Sequence, residues 1–340
     1  MLPYLHGTFP LPKTESTPSR PASCLDFGVA VICALPLEAD AVLALFDRDW
    51  DDNDRPYYKS PRDSNSYDTG AIGRHNIVLV HMPGPGKVSA AKVASDCRAS
   101  FPKIKLAILV GICGAVPFDT KGNEILLGDV IISDSVVQYD FGRQYPGHFS
   151  RKNTLVDSLP RPGLEIRSLL AKLQSYKSAE KLRSGIAKYL DVLLSHPILG
   201  GQYPGVEHDK LFDANYHHTA EGESCEAGCI NGPLVIRKRL EGATPPKPNA
   251  HIGPIASGDT VMKSSQDRDL IAQKEGALAF EMESAGIWET FPSVVIKGVC
   301  DYADSHKTKV WQRYAAATAA ACLKAFLEIW EPSVASASGM

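Results

Sequence analysis

Long apolar runs are missing from this chain of 340 residues: none reaches the ~18 residues that a membrane span needs. An excess of basic charge is missing too. Lys and Arg number 36 against 39 Asp and Glu, a net charge of -3, which excludes a global field that would draw nucleic acid or an anionic membrane. The first 23 residues carry five prolines and no apolar core, which excludes a secretory signal and predicts a disordered leader over 1–25. There is no internal repeat. The eight cysteines are scattered, and Cys33, Cys113 and Cys300 sit inside apolar runs, as reduced core residues of a cytosolic protein do. What is present is ordinary. A composition of 44% hydrophobic and 22% charged residues suits one large globular domain or two small ones.

The apolar stretches are continuous rather than alternating, the pattern of strands buried on both faces. They fall at Phe27–Leu35, Ile77–Met82, Lys105–Val110, Gly128–Ser133, His251–Ser257 and Ser293–Val299. Helical patterns lie between them: one opened by Pro36, an Ala-rich one over Val88–Phe101, and a long Ala-rich one over Trp311–Trp330. Trp50–Ser66 reads as a polar loop and 332–340 as a disordered tail. Strands alternating with helices predict an α/β fold with a mostly parallel sheet covered by helices on both faces.

The chemistry-bearing residues gather where these strands end. Glu38 lies in the first turn after the first strand, and Asp301 follows the last strand. Between them in interest is Ala277–Trp288, where an apolar run enters Glu281-Met282-Glu283 and small residues open a helix. Acids at a helix N-terminus are favoured by its dipole, which would account for each one singly. Three of them beyond the C-terminal ends of strands mark the edge where open α/β sheets bind ligands. Two glycine-rich turns stand at the same edge. Pro83–Lys87 is either an anion cradle or a plain tight turn, and Gly111-Ile112-Cys113-Gly114-Ala115 lets backbone approach a flat ligand.

Residues 150–250 break the pattern. Helical periodicity at Leu164–Leu173 and Ile186–Leu194 is followed by Gly- and Pro-rich turns, which predicts an insertion carrying a lid or an oligomer contact. It contains His217, His218, Cys225 and Cys229. A zinc site from these is set aside, because Cys-x3-Cys departs from the usual Cys-x2-Cys knuckle. Neither a metal nor a cofactor is expected.

These residues together resemble the nucleoside phosphorylase superfamily, and within it the methylthioadenosine/S-adenosylhomocysteine nucleosidases. The matching pieces run in the family's order: Ala34–Glu38, Gly84–Val88, Val110–Gly114, Gly128-Asp129-Val130, Ser257-Gly258-Asp259, Glu281-Met282-Glu283 and Cys300-Asp301. They cover roughly 27–145 and 250–330, inside one domain spanning 26–331. The resemblance implies a three-layer α/β/α sandwich with a central, mostly parallel mixed sheet. It is similar to the form in fungal proteins where such a domain precedes signalling or repeat modules.

The resemblance also implies roles. Asp301 matches the acid that protonates purine N7, Glu283 the acid that holds the ribose hydroxyls, Met282 the residue packed on the sugar, and Glu38 the acid that activates water. Glu281, Cys113, Gly114 and Cys300 would border the substrate, with Val261 and Trp311 as apolar walls or as core. Phosphorylases of the superfamily carry a phosphate-binding arginine where this chain has Glu38, and a second where it has Leu109, so hydrolysis is favoured over phosphorolysis. Ile112 departs from the small hydroxyl residue common at its position. The base implied is adenine. The 5′ substituent stays open: a thioether needs an apolar pocket, and a phosphorylated substrate needs basic residues such as Arg143, Arg151, Lys152, Lys263, Lys307 or Lys309. The expected partner is a small-molecule purine nucleoside or nucleotide, with the chain in a homo-oligomer. The alternatives are a phosphorylase and a nucleoside-sensing domain without turnover.

Overall fold

The apolar runs form strands with almost no exposed face. In chain order the elements are β1 (Val29–Cys33), α1 (Pro36–Leu43), β2 (Arg48–Asp49), β3 (Ser66–Ile72), β4 (His75–His81), α2 (Lys87–Ser100), β5 (Leu106–Ala115), β6 (Val130–Gln138), β7 (Gly142–Tyr145) and β8 (His148–Arg151). There follow α3 (Leu164–Leu173), α4 (Tyr176–Leu194), α5 (Cys225–Gly228), β9 (Ala250–Ser257), α6 (Ser265–Glu275), β10 (Ala279–Glu281), α7 (Ser284–Ile287), β11 (Ser293–Asp301) and α8 (Gln312–Leu327). The computed structural model describes residues 18–51, 57–218, 225–242 and 244–332.

Among the described residues, nine strands make one mixed sheet in the order β10-β9-β6-β11-β5-β1-β4-β3-β2. β1 runs parallel to both β4 and β5, and β5 parallel to β11. β6 is antiparallel to β11 and parallel to β9. β10 bonds to β9 and also to the far end of β5, so β5, β11, β6, β9 and β10 close on themselves. β7 and β8 form a separate hairpin.

Helices cover the sheet. Every residue of α8 from Tyr314 to Leu327 is buried, as an Ala-rich, nearly all-apolar helix should be. It lies directly on β11 because Gly298 has no side chain; a Cβ there would overlap the Ala315 carbonyl. α1 and α4 pack against α8, and α2 against α7, giving the three-layer arrangement. Among the described residues no helix is long and apolar enough to cross a membrane.

The middle segment, expected to carry a lid or an oligomer contact, packs on the helical layer. α4 lays Leu182, Ile186, Tyr189, Leu190 and Leu193 inward, and Gly185 abuts Ala325 of α8. Its continuation crosses the C-terminal edge of the sheet, where Asp209 accepts from Leu127 N (3.1 Å) and Tyr302 Oη (2.6 Å). Arg237 donates to the Pro117 and Ile125 carbonyls and to Tyr302 Oη. The expected leader is described only from residue 18. There Arg20 reaches the Trp50 carbonyl, Pro21 accepts from Tyr57, and Ser23 caps a short 3-10 turn, so order begins before residue 26. Residues 1–17 and 333–340 lie outside the described residues.

Candidate active site

Parallel pairing of β1, β5 and β11 brings their C-terminal ends to one edge, and β10 arrives there from the other side. Side chains beyond these ends therefore meet whatever their distance in sequence. The result is a cavity of about 280 Å³. Nine of the expected residues line it: Glu38, Cys113, Gly114, Val261, Glu281, Met282, Glu283, Cys300 and Asp301. A larger recess of about 600 Å³ lies beside Pro117, Leu211 and Arg268, away from these acids; chemistry rather than size selects the smaller one.

Trp311 is the exception. It is 1% exposed, donates Nε1–H to the His208 carbonyl at 2.9 Å, and packs edge-on to Tyr203 and Tyr314. It is core, and the next residue, Gln312, lines the cavity instead. An indole whose one donor is satisfied inside the protein has no reason to face a ligand.

Glu38 is fixed by backbone. Its Oε2 accepts from the Ala34 and Leu35 N–H groups (both 2.9 Å), and its Oε1 from Ile112 N–H (2.8 Å). Gly111 makes room for it, since a Cβ there would overlap the carboxylate. Burial pushes the Glu38 pKa up, only partly opposed by Lys297 and these N–H groups. Gly114 does the same for Asp301: a Cβ would lie 2.6 Å from Oδ1. Two glycines of one strand thus seat two acids, which is a closer approach than the flat-ligand reading anticipated.

Lys297 organises the acids and escaped the sequence reading. It is 1% exposed, and its Nζ lies 3.0 Å from Glu283 Oε2 and 3.8 Å from Glu281 Oε2. Burial pulls its pKa down, but Glu283, Glu38 and Glu281 outweigh that and hold it above the ordinary lysine value. Glu281 accepts from the N–H groups of Glu283 and Ser284 and from Ser284 Oγ (2.6 Å). Burial, with Glu283 beside it, lifts its pKa to about 7. Glu283 goes the other way: burial raises its pKa, but the Lys297 ammonium more than offsets that and leaves it lowered. A signal existed, for Lys297 is the one charge within the apolar run Ser293–Val299.

Asp301 Oδ1 accepts from Lys307 Nζ (2.8 Å) and Ala303 N–H (2.9 Å). Oδ2 has the Cys300 thiol at 3.4 Å. Ala303 sits at φ +52°, a left-handed conformation that strains a residue with a Cβ and is found where a site fixes its backbone. Of the six basic residues near the site in sequence, Lys307 alone lines the cavity. Arg151 is held by Glu275, and Lys152 by Asp157. The Pro83–Lys87 turn is no open anion cradle: Asp259 accepts from Lys87 N–H (2.9 Å), and Asp140 binds Lys87 Nζ (2.6 Å). The chain's own carboxylates fill it.

Against known proteins, residues 28–328 match the family model described as phosphorylase superfamily. A nucleotide-binding leucine-rich repeat (NLR)-like protein of Hyaloscypha variabilis is 32% identical over 314 residues, which are 90% of this chain and 30% of that protein. A death domain-containing ATP nucleosidase of Amphimedon queenslandica is 23% identical over 74% of this chain and 39% of its own length. The chain thus spans about a third of the length of these curated relatives. Among solved structures, the Streptococcus pneumoniae MTA/SAH nucleosidase in complex with 8-aminoadenine superposes with a TM-score of 0.55 at 19% identity, covering 89% of this chain and 100% of that one.

Proposed function

The chain belongs to the phosphorylase superfamily, and from there we propose that it hydrolyses the N-glycosidic bond of a purine nucleoside or nucleotide and releases the free base, adenine first among them. One observation carries the reading: Glu38, Glu283 and Asp301, distant in sequence, border one cavity of about 280 Å³, near the lower end of small-molecule sites. The relatives described as an ATP nucleosidase and as MTA/SAH nucleosidases support it.

Each acid has a separate task, the two-carboxylate logic of an inverting hydrolase. Glu38 takes a proton from water as the water oxygen attacks C1′ of the ribose. The bond from C1′ to the base nitrogen breaks, and its electron pair moves onto the base. Asp301 delivers a proton to N7, so the base departs neutral, and Lys307 stabilises the carboxylate left behind. Glu283, steadied by Lys297, accepts from the ribose hydroxyls, while Met282 packs on the sugar. The carboxylates around the single Lys297 stabilise the positive charge that develops on the sugar. They also repel phosphate, and the Lys87 ammonium is already neutralised by Asp140, which together favour water.

The test is chromatography of released base from methylthioadenosine, adenosine, inosine, AMP and ATP, with and without phosphate. Release without phosphate is expected, and the preferred member assigns the 5′ substituent. Strict dependence on phosphate overturns hydrolysis. Asp301→Asn should lower kcat by about 10²–10⁴-fold, the usual contribution of a positioned acid.

A further inference from the structure

A second cluster of reactive side chains lies outside the cavity, and the proposed hydrolysis does not use it. His218, Cys225, Cys229 and His306 each turn one ligand atom inward, and all four atoms lie within 4.8 Å of one another. Cys229 Sγ is 3.1 Å from His218 Nδ1, and Cys225 Sγ is 3.3 Å from His306 Nδ1. Bonds of about 2.3 Å to sulfur and 2.0–2.1 Å to nitrogen put the edges of a tetrahedral zinc site at roughly 3.3–3.8 Å, so small side-chain shifts reach that geometry.

The surroundings favour a ligand role over a chance meeting. His306 is buried, and its Nε2 lies 3.0 Å from the Tyr216 carbonyl. A carbonyl can only accept, so Nε2 carries the hydrogen and Nδ1 presents its lone pair to the cluster, the outer contact that metal-bound histidines use. Phe212 stacks on the same ring at 4.0 Å and fixes its plane. Cys229 N–H donates to the Cys225 carbonyl at 3.0 Å, so one helical turn sets both sulfurs on one face. The Cys-x3-Cys spacing that argued against a knuckle is the spacing an α-turn requires. His217 is exposed, and His306, far along the chain, stands where the sequence reading had it.

We propose that His218, Cys225, Cys229 and His306 bind one zinc ion and that it ties the α5 turn to the loop that follows Asp301. Two nitrogens and two sulfurs without a carboxylate select zinc over the hard cations. Four protein ligands leave no open position, so the ion is structural and takes no part in bond cleavage. Two thiolates and a divalent cation sum to no net charge, which makes their joint burial far less costly than burying any one charge. The tie lands close to the chemistry. His306 lies five residues beyond Asp301, His218 N–H donates to Ser305 Oγ at 3.0 Å, and a small cavity of about 40 Å³ is lined by Cys225, His306 and Asp301 together.

Metal content of the full chain, purified from zinc-supplemented culture and measured by mass spectrometry of the metal, decides the matter without reference to activity. About one zinc per chain is expected, falling at least tenfold in Cys225→Ser/Cys229→Ser and in His306→Ala but not in His217→Ala. Should those variants fail to fold, cobalt titration of the chelator-stripped wild-type chain is independent of them: a thiolate-to-cobalt charge-transfer band saturating at about one equivalent supports the site. Wild-type chain with less than about a tenth of an equivalent of zinc and no such band overturns it. So does a Cys225–Cys229 disulfide in protein purified without reductant, or equal loss of zinc from His217→Ala and His306→Ala.

Discussion

At the scale of residues, the acids depend on one buried cation. Removing it by Lys297→Met leaves Glu283 without its partner and Glu38 and Glu281 with less compensation; breaking such a buried pair typically costs about 3–5 kcal/mol. Urea denaturation should show a loss of that size, and an unchanged midpoint would remove Lys297 from its structural role. The same cation sets the pH profile. Glu38 must be ionised to take a proton, and burial holds its pKa above the usual carboxylate value, so kcat/KM should fall on the acid side at higher pH than for an exposed glutamate. In Lys297→Met that acid limb should move further up, because the cation that lowered the Glu38 pKa is gone. A pH–rate profile that does not move would contradict Glu38 as the base.

Elements explain why the acids stand where they do. β5 lies between β1 and β11, and its register places Gly111 opposite Lys297 and Gly114 opposite Asp301. Both glycines are required by close approach, since both would drive a Cβ into a carboxylate. Gly114→Ala is therefore expected to lower kcat by at least about tenfold through displacement of Asp301 while costing little more than the 1–3 kcal/mol typical of overpacking. Ala91→Gly, on the exposed side of α2, is its control and should affect stability by about 1 kcal/mol and turnover not at all. Gly298 belongs to packing: Gly298→Val would push α8 off β11 and should abolish soluble, folded chain. Comparable yield and thermal unfolding of that variant would show that α8 can move.

For the whole molecule, stability couples to pH through Glu281. Its folded pKa of about 7 lies above the ordinary value of 4.5, so the folded chain binds the proton more tightly than the unfolded chain. That contribution is fully present below about pH 4.5 and is lost as pH rises through 7. Glu283 has the opposite sign, since its lowered pKa gives stability that is present at neutral pH and lost in acid. Between about pH 5 and 7.5 the Glu281 contribution changes with pH, and thermal unfolding of Glu281→Gln should depend less on pH there than that of the native chain. Parallel curves for the two would show that Glu281 is not protonated in the folded state.

The sequence by itself determined the α/β class, six of the strands and most of the residues that line the candidate cavity, because buried parallel strands are continuous apolar runs and their C-terminal ends advertise any acid placed there. Strands such as β3, which lack such a run, were not legible. Glu38, Glu281, Glu283 and Asp301 were legible for that reason. Lys297 was legible as a lone charge in an apolar strand and still passed as background, since only its ion pairs with Glu283 and Glu281 and the charge of Glu38 give it meaning. Tertiary structure alone decided that Trp311 is core, that Asp259 and Asp140 fill the glycine-rich turn, and that α4 belongs to the helical layer. It alone also supplied His306 as the fourth member of a cluster whose other three residues lie far upstream. The physical reason is common to all four: which side chains share a small volume follows from strand order and helix packing, and local pattern carries no record of either.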